Sequence, residues 1–349
     1  MFIFALMNLS KILLFPASLL YGSITGVRNL LFDFGIKEQY KSQLKVISVG
    51  NLSLGGTGKT PMIEYLIRLL GPAEHALALI SRGYGRKTKG FLVAGKDASP
   101  SQIGDEPFQV YSKFPTLKVC VSEKRKTAIE YLEQESPDSV VLLDDAFQHR
   151  YVQRDLNIVL TSFDNLFYND LVLPAGRLRE FPSGISRADV VVVTKCPEIG
   201  VDKKLIRGAI EKYSDAPVFF SSIKYATKIQ NQEMYLDFEN LSSKKVALIT
   251  GIAKPEYFYS FLKPFLKDHK HFKFADHYNF KTSDFEQFEN YLNQYPNAIL
   301  LTTEKDYVRL IQHKWSTESL HRIFYLPIET DFGSMKKDFD SLILSQLQK

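Results

Sequence analysis

Several short stretches gather residue types that handle phosphate. The first is VGNLSLGGTGKTP at residues 49–61. Its glycines let the backbone curl until N–H groups point at phosphate oxygens. Lys59 would then reach the β- and γ-phosphates, and the Thr60 hydroxyl would ligate Mg²⁺. The strict pattern wants glycine five residues before Gly58, where this chain has Ser53; Leu54, Gly55, Gly56 and Thr57 complete the loop. A glycine-rich turn before a helix is the plainer alternative. The setting between a strand and a helix favours a nucleoside-triphosphate site. The second stretch, VVLLDDAFQHR at residues 140–150, is an apolar run ending in Asp144 and Asp145. A strand-end aspartate of this kind holds Mg²⁺ directly or through water. Successive side chains of an extended chain face opposite ways. The two aspartates therefore share a job only if the strand has already ended.

Four more stretches carry charge in turn-like settings: SRGYGR with Arg82, GDEP with Asp105 and Glu106, LPAGRLRE with Arg177 and Arg179, and DHY with His277. Arginines on a glycine-rich turn suit phosphate recognition. Asp105 reads as a helix N-cap, or as a carboxylate near a γ-phosphate. The residue types alone favour the cap, and a lone histidine such as His277 is more often structural than catalytic.

Positioning these groups requires buried strands. Apolar runs at residues 45–49, 76–80, 117–121, 140–143, 158–161 and 190–194 predict strands. Several are continuous rather than alternating, as parallel strands covered on both faces are. Residues 62–70 predict a helix, with Pro61 in its first turn and Gly71-Pro72 ending it. A polar stretch at 226–245 predicts a linker. Beyond it the alternation restarts, with strands at 246–250, 272–274, 298–302 and 322–326 and helices after Pro255 and from about Ser283. The expected fold class is α/β: a P-loop NTPase-like, mostly parallel sheet with helices on both faces, plus a second, smaller α/β domain. The expected division is an N-terminal helix over 1–35, a nucleotide-binding domain over 36–225, a hinge over 226–245 and a closing domain over 246–349.

The first 27 residues carry one charge, Lys11, and 12–27 carry none. Pro16 and Gly22 interrupt that run, which is shorter than the ~20 residues a spanning helix needs. Arg28, Lys37, Lys41 and Lys45 follow, against Asp33 and Glu38. An apolar helix with a basic flank is expected to lie in the interface of an anionic leaflet; a helix docked on the protein's own core is the alternative. In the whole chain of 349 residues, 45% are hydrophobic, 24% charged, and the net charge is +5. That excludes disorder and coiled coil. It also lacks the dense basic tracts of a nucleic-acid binder. Two cysteines, Cys120 and Cys196, are too few for a disulfide framework or a four-thiolate zinc site.

Taken together, VGNLSLGGTGKTP, SRGYGR, GDEP, DDAFQHR, LPAGRLRE, DHY and TTEKD resemble the tetraacyldisaccharide 4′-kinases of lipid A biosynthesis. The motifs stand in the family's order from the apolar N-terminal helix to about residue 310, and the serine in the phosphate loop is shared. The resemblance implies transfer of the γ-phosphate of ATP, with Mg²⁺, to the 4′-hydroxyl of a lipid disaccharide 1-phosphate. It also implies work at the cytoplasmic leaflet of a bacterial inner membrane, with no nucleic acid and no protein partner. By motif, residues 53–60 bind nucleotide, and Thr60, Asp144 and Asp145 serve the metal. Asp105 is the general base assisted by His277, Lys59 acts in catalysis, and Arg82, Glu106, His149 and Arg177 support nucleotide or substrate. A membrane-associated P-loop ATPase switch shares the loop but does not need GDEP, DHY or a second α/β domain. The last forty or so residues match no motif.

Overall fold

In the computed structural model, the described residues are 9–73, 76–276 and 278–347. The first sheet is built from β1 (Lys45–Asn51), β2 (Leu77–Ser81), β3 (Leu92–Val93), β4 (Lys118–Val121), β5 (Val140–Asp144), β6 (Leu156–Ser162), β7 (Val190–Thr194) and β8 (Val218–Phe220). Their order is β3-β4-β2-β5-β1-β6-β7-β8. Every pairing is parallel except β3 with β4. Continuous apolar runs arise because alternate residues feed different cores. On β7, Val190 and Val192 join one cluster with Ile47, Val49 and Leu66, while Val191 and Val193 join another with Leu52 and Phe147. On the far side of β1, Val46 packs with Ala78, Ile80, Val141 and Leu143. Helices on both faces close these layers, as parallel sheets require.

The remaining strands are β9 (Ser222–Tyr225), β10 (Lys228–Gln230), β11 (Tyr235–Asp237), β12 (Lys245–Thr250), β13 (Asp268–Lys273), β14 (Ile299–Thr303), β15 (Ile323–Leu326) and β16 (Ile328–Asp331). A second sheet runs β11-β10-β15-β14-β12-β13, and β9 pairs with β16 in an antiparallel ribbon between the sheets. The polar stretch 226–245, expected as a linker, instead supplies the β10–β11 hairpin. Its Ile229 is fully buried in the second core. Strands of three residues on a sheet edge contain too few apolar positions to show a period. A second correction concerns the C-terminus. Residues 332–347, expected with the smaller domain over 246–349, return to the first core. There Phe332, Phe339 and Ile343 pack with Met62 and Leu66 of the helix Lys59–Leu70.

The N-terminal helix Leu9–Asp33 lies along the first unit. Its inner side is small and polar along most of its length, and Phe32 packs inward against Tyr151 at its end. Ser18 Oγ accepts from the Ala175 N–H at 2.9 Å, and Asn29 Nδ2 donates to Glu180 at 2.6 Å. A Cβ on Gly22 would sit 2.4 Å from the Phe181 ring, so only glycine lets the helix approach this closely. Arg150 fastens the end by donating to the Asn29 carbonyl and pairing with Asp33 at 2.6 Å. Its outer side exposes Leu13, Leu20, Ile24, Val27 and Leu30. Ser10–Asp33, 24 residues, is long and apolar enough to cross a membrane by length and composition.

Candidate active site

The loop after β1 is folded by its neighbours. The Leu54 N–H donates to the Arg177 carbonyl at 2.7 Å, and Ser53 bridges to Leu178. Ser53 thus has a strand-like partner and needs no left-handed backbone, which is why serine serves where the strict pattern has glycine. The left-handed positions fall at Gly55, φ +105°, and Gly58, φ +86°. Gly58 caps the helix Lys59–Leu70, which starts without a side-chain cap. Its first N–H groups and the positive end of its dipole therefore face the loop.

Across from the loop, β5 ends on Asp144. Asp145 takes φ +46°, so the strand has ended and both aspartates turn to the same site. Asp145 lies 3.7 Å from Lys59 Nζ and is gripped by Arg179, whose two terminal nitrogens donate to its two oxygens at 2.9 and 3.0 Å. Burial works against its charge, but Lys59 and Arg179 outweigh it and hold the carboxyl below the ordinary range. Asp144 is the contrasting partner. One oxygen accepts from Ser81 Oγ at 2.9 Å, while the other is buried with no hydrogen-bond partner. Burial first, then the charges of Glu106 and Asp145, push its carboxyl well above the usual carboxylate range.

Glycines bring the GDEP motif to this point. Gly83 and Gly104 abut so closely that a Cβ on Gly83 would meet the Ile103 carbonyl oxygen at 2.6 Å. Gly104 leads into the helix Asp105–Lys113, and Glu106 lines one small cavity with Thr60 and Asp144. Asp105 starts that helix and lies 3.7 Å from Arg309 Nε of the second unit. Arg309 also pairs with Asp306 and donates to the Tyr278 carbonyl at 2.7 Å. His277 falls outside the described residues.

The supporting residues separate by position. His149 packs against Tyr151, and burial, then Arg125, Arg154, Arg28 and Arg82, push its pKa down to about 4. Arg82 itself is exposed. Arg177, singled out from LPAGRLRE, is more than half exposed and pairs with Asp170 at 3.1 Å and with Asn165. Its neighbour Arg179 makes the contact with Asp145. Arg309 and Ser81 were not among the residues picked from the sequence. Both sit inside quoted or adjoining stretches, Ser81 opening SRGYGR and Arg309 following TTEKD by three residues.

The loop, the aspartate pair and the carboxylate-bearing helix converge at the ends of parallel strands, and the chain as a whole matches a known family. The family model described as tetraacyldisaccharide-1-P 4′-kinase matches residues 10–348. A tetraacyldisaccharide 4′-kinase of Flavobacterium johnsoniae is 42% identical over 346 residues, 98% of this chain and 99% of the relative. One from Phocaeicola vulgatus is 40% identical, covering 98% and 97%. Among solved structures, LpxK from Aquifex aeolicus, crystallised in complex with ATP, superposes with a TM-score of 0.78 at 29% identity, covering 97% of this chain and 99% of that one. With sequence, length and fold all in agreement, this chain belongs to the tetraacyldisaccharide-1-P 4′-kinase family.

Proposed function

We propose that this protein transfers the γ-phosphate of ATP to the 4′-hydroxyl of a tetraacyldisaccharide 1-phosphate, giving the 1,4′-bisphosphate. The observation that carries the reading is the ion pair of Lys59 with Asp145 at 3.7 Å, beside which Thr60, Asp144 and Glu106 meet, with Asp105 next in the chain. Lys59 and the loop amides bind and align the phosphate chain. Arg179 holds Asp145 ionised, and Asp145 in turn orients the Lys59 ammonium. Asp105, assisted by His277, takes the proton that the acceptor hydroxyl loses on attack. Arg309 beside Asp105 steadies the carboxylate from the opposite unit. Arg82, His149 and Arg177 support nucleotide or substrate. Most of the acceleration comes from alignment and charge neutralisation rather than from proton transfer.

A divalent cation fits these residues. The unpartnered buried oxygen of Asp144 and the Thr60 hydroxyl are hard oxygen donors of the kind Mg²⁺ takes. Among the described residues no group of three His, Cys, Asp or Glu side chains could hold a metal by itself, so nucleotide oxygens and water would complete the set. When bound, Mg²⁺ supplies charge neutralisation on the phosphate oxygens.

The acceptor's acyl chains leave a bilayer only at about 0.8 kcal/mol per exposed CH₂. The enzyme therefore works at the membrane. The outward apolar side of the N-terminal helix, flanked by Arg28, Lys37, Lys41 and Lys45, lies in the interface of the cytoplasmic leaflet.

The test is turnover of ATP with and without the lipid disaccharide 1-phosphate. Product is expected only with both, and Lys59→Ala is expected to abolish it while the variant keeps its circular-dichroism spectrum. Acceptor-independent hydrolysis with no phosphorylated lipid would replace the kinase by an ATPase switch.

A further inference from the structure

The last residue of β7 and the one that follows it turn their side chains back onto the phosphate loop. Thr194 Oγ1 donates to the Thr57 carbonyl at 2.8 Å. Lys195 Nζ donates to the Gly56 carbonyl at 2.6 Å. The chain bends sharply at this point: Lys195 has φ +57°, a left-handed backbone that a side-chain-bearing residue adopts only at a cost. Thr194 is buried, and its hydroxyl lies closer to the Thr57 carbonyl than to the Thr161 carbonyl, which stands 3.4 Å away.

Peptide geometry gives these two bonds a consequence. A trans peptide holds its C=O and N–H on opposite sides of one plane. The Gly56 carbonyl shares its plane with the Thr57 N–H, and the Thr57 carbonyl shares its plane with the Gly58 N–H. Drawing both carbonyls toward the end of β7 turns both N–H groups away from it, to the other side of the loop. Among the described residues neither N–H donates to an acceptor. The left-handed turn at Gly58 lets successive amides face the same way, which is the geometry of an anion-binding nest.

We propose that Thr194 and Lys195 are positioning residues of the nucleotide site: they hold the Gly56 and Thr57 carbonyls so that the Thr57 and Gly58 N–H groups face the phosphate chain before the nucleotide arrives. The proposal rests on the nucleotide reading above. A loop already set in its binding conformation loses less freedom when the ligand enters, and the gain appears as affinity. The two bonds come from adjacent residues, the last of β7 and the first beyond it, so they fix the two peptides relative to each other as well as to the sheet.

The experiment measures ATP affinity by calorimetry and steady-state kinetics on the full chain carrying Thr194→Val, Thr194→Ser, Lys195→Met or Lys195→Arg, with Lys59→Ala as the control. Thr194→Val and Lys195→Met are each expected to raise the Kd and KM for ATP about tenfold. The KM for the lipid acceptor should stay within about twofold, and the melting temperature should stay close to that of the parent. Thr194→Ser and Lys195→Arg, which keep a donor, should restore most of the affinity. Unchanged ATP affinity in folded Thr194→Val or Lys195→Met overturns the proposal. A loss in Lys195→Met alone, with Thr194→Val at parental affinity, also overturns it, because the lysine would then act on the phosphate directly. If Lys59→Ala keeps full ATP affinity, the nucleotide reading fails instead, and the two failures are told apart.

Discussion

Arg179 and Arg177 show how far two residues of one motif can differ. Arg179 donates to both oxygens of Asp145, whereas Arg177 reaches outward to Asp170. Hydrogen bonds to charged groups contribute about 1.5–3 kcal/mol. Arg179→Met is therefore expected to lower kcat/KM for ATP roughly tenfold to a hundredfold, and Arg177→Met to lower it less; steady-state kinetics on the two variants decides. His149 gives a pH-dependent expectation. Its pKa is pushed down to about 4 in the folded protein, against about 6.5 in an unfolded chain. Between those values the unfolded chain binds a proton that the folded one does not, so stability is lost as pH falls from about 6.5 toward 4. His271, also pushed down to about 4 by burial, adds to the same trend. Urea unfolding at pH 7 and pH 5 should show a smaller acid loss for His149→Gln than for the parent; an equal loss would place His149 in solvent. At this scale Lys59, Thr60, Asp144 and Asp145 were legible because their spacing is set by one local loop and one strand end. The choice between Arg177 and Arg179 was not, because it depends on how 177–179 lies against residues 52–54, more than a hundred positions away.

Between elements, the helix Asp105–Lys113 is held at both ends by the helix Glu304–Leu310 of the second unit. Asp105 meets Arg309 at 3.7 Å, and Lys113 Nζ sits 2.6 Å from Glu304. Lys113 also lies 2.6 Å from Glu64 on the phosphate-loop helix, and Gln109 donates to the same carboxylate at 3.0 Å. Three helices thus share one half-buried ammonium whose carboxylate partners are buried. Removing one member of a buried ion pair costs about 3–5 kcal/mol, because the partner charges stay behind. Lys113→Met should destabilise by that order in denaturant titration. Adding Glu64→Gln and Glu304→Gln should recover much of the loss, since the uncompensated charge goes with them; a triple variant as unstable as the single one would contradict the account. The parallel strands were legible because each feeds two cores and so reads as an unbroken apolar run. The β10–β11 hairpin and the short β3, β8, β9 and β16 were not, being too brief to display a pattern.

For the whole molecule, the N-terminal helix inverts the usual arrangement of a surface helix over most of its length: Ser18, Gly22 and Asn29 face the protein and Leu13, Leu20, Ile24, Val27 and Leu30 face out, with Phe32 turning inward at its end. Replacing Leu13, Leu20, Ile24 and Val27 together by Gln should weaken co-sedimentation with anionic vesicles while leaving the melting temperature unchanged. A large fall in melting temperature would show instead that these side chains support the fold. Composition announced this helix, but only the structure tells which side is spent on docking, because Gly22 and Ser18 look like interruptions in an apolar run until Phe181 and Ala175 are placed against them. The reach of the C-terminal helix Lys336–Leu347 was equally hidden. Its mates lie some 270 residues upstream: Tyr65 stands edge-on to Phe332 and Phe339, and its hydroxyl donates to Asp340.

That return journey bears on how the protein is made. Synthesis delivers the glycine-rich turn after β1 early, yet part of the layer behind its helix follows only after the entire second sheet has emerged. A ribosome still short of Phe332 carries a nascent chain whose Met62 and Leu66 lack part of their eventual cover. The first core is therefore complete only once Phe332, Phe339 and Ile343 have passed back beyond the β9–β16 ribbon and settled against the helix Lys59–Leu70.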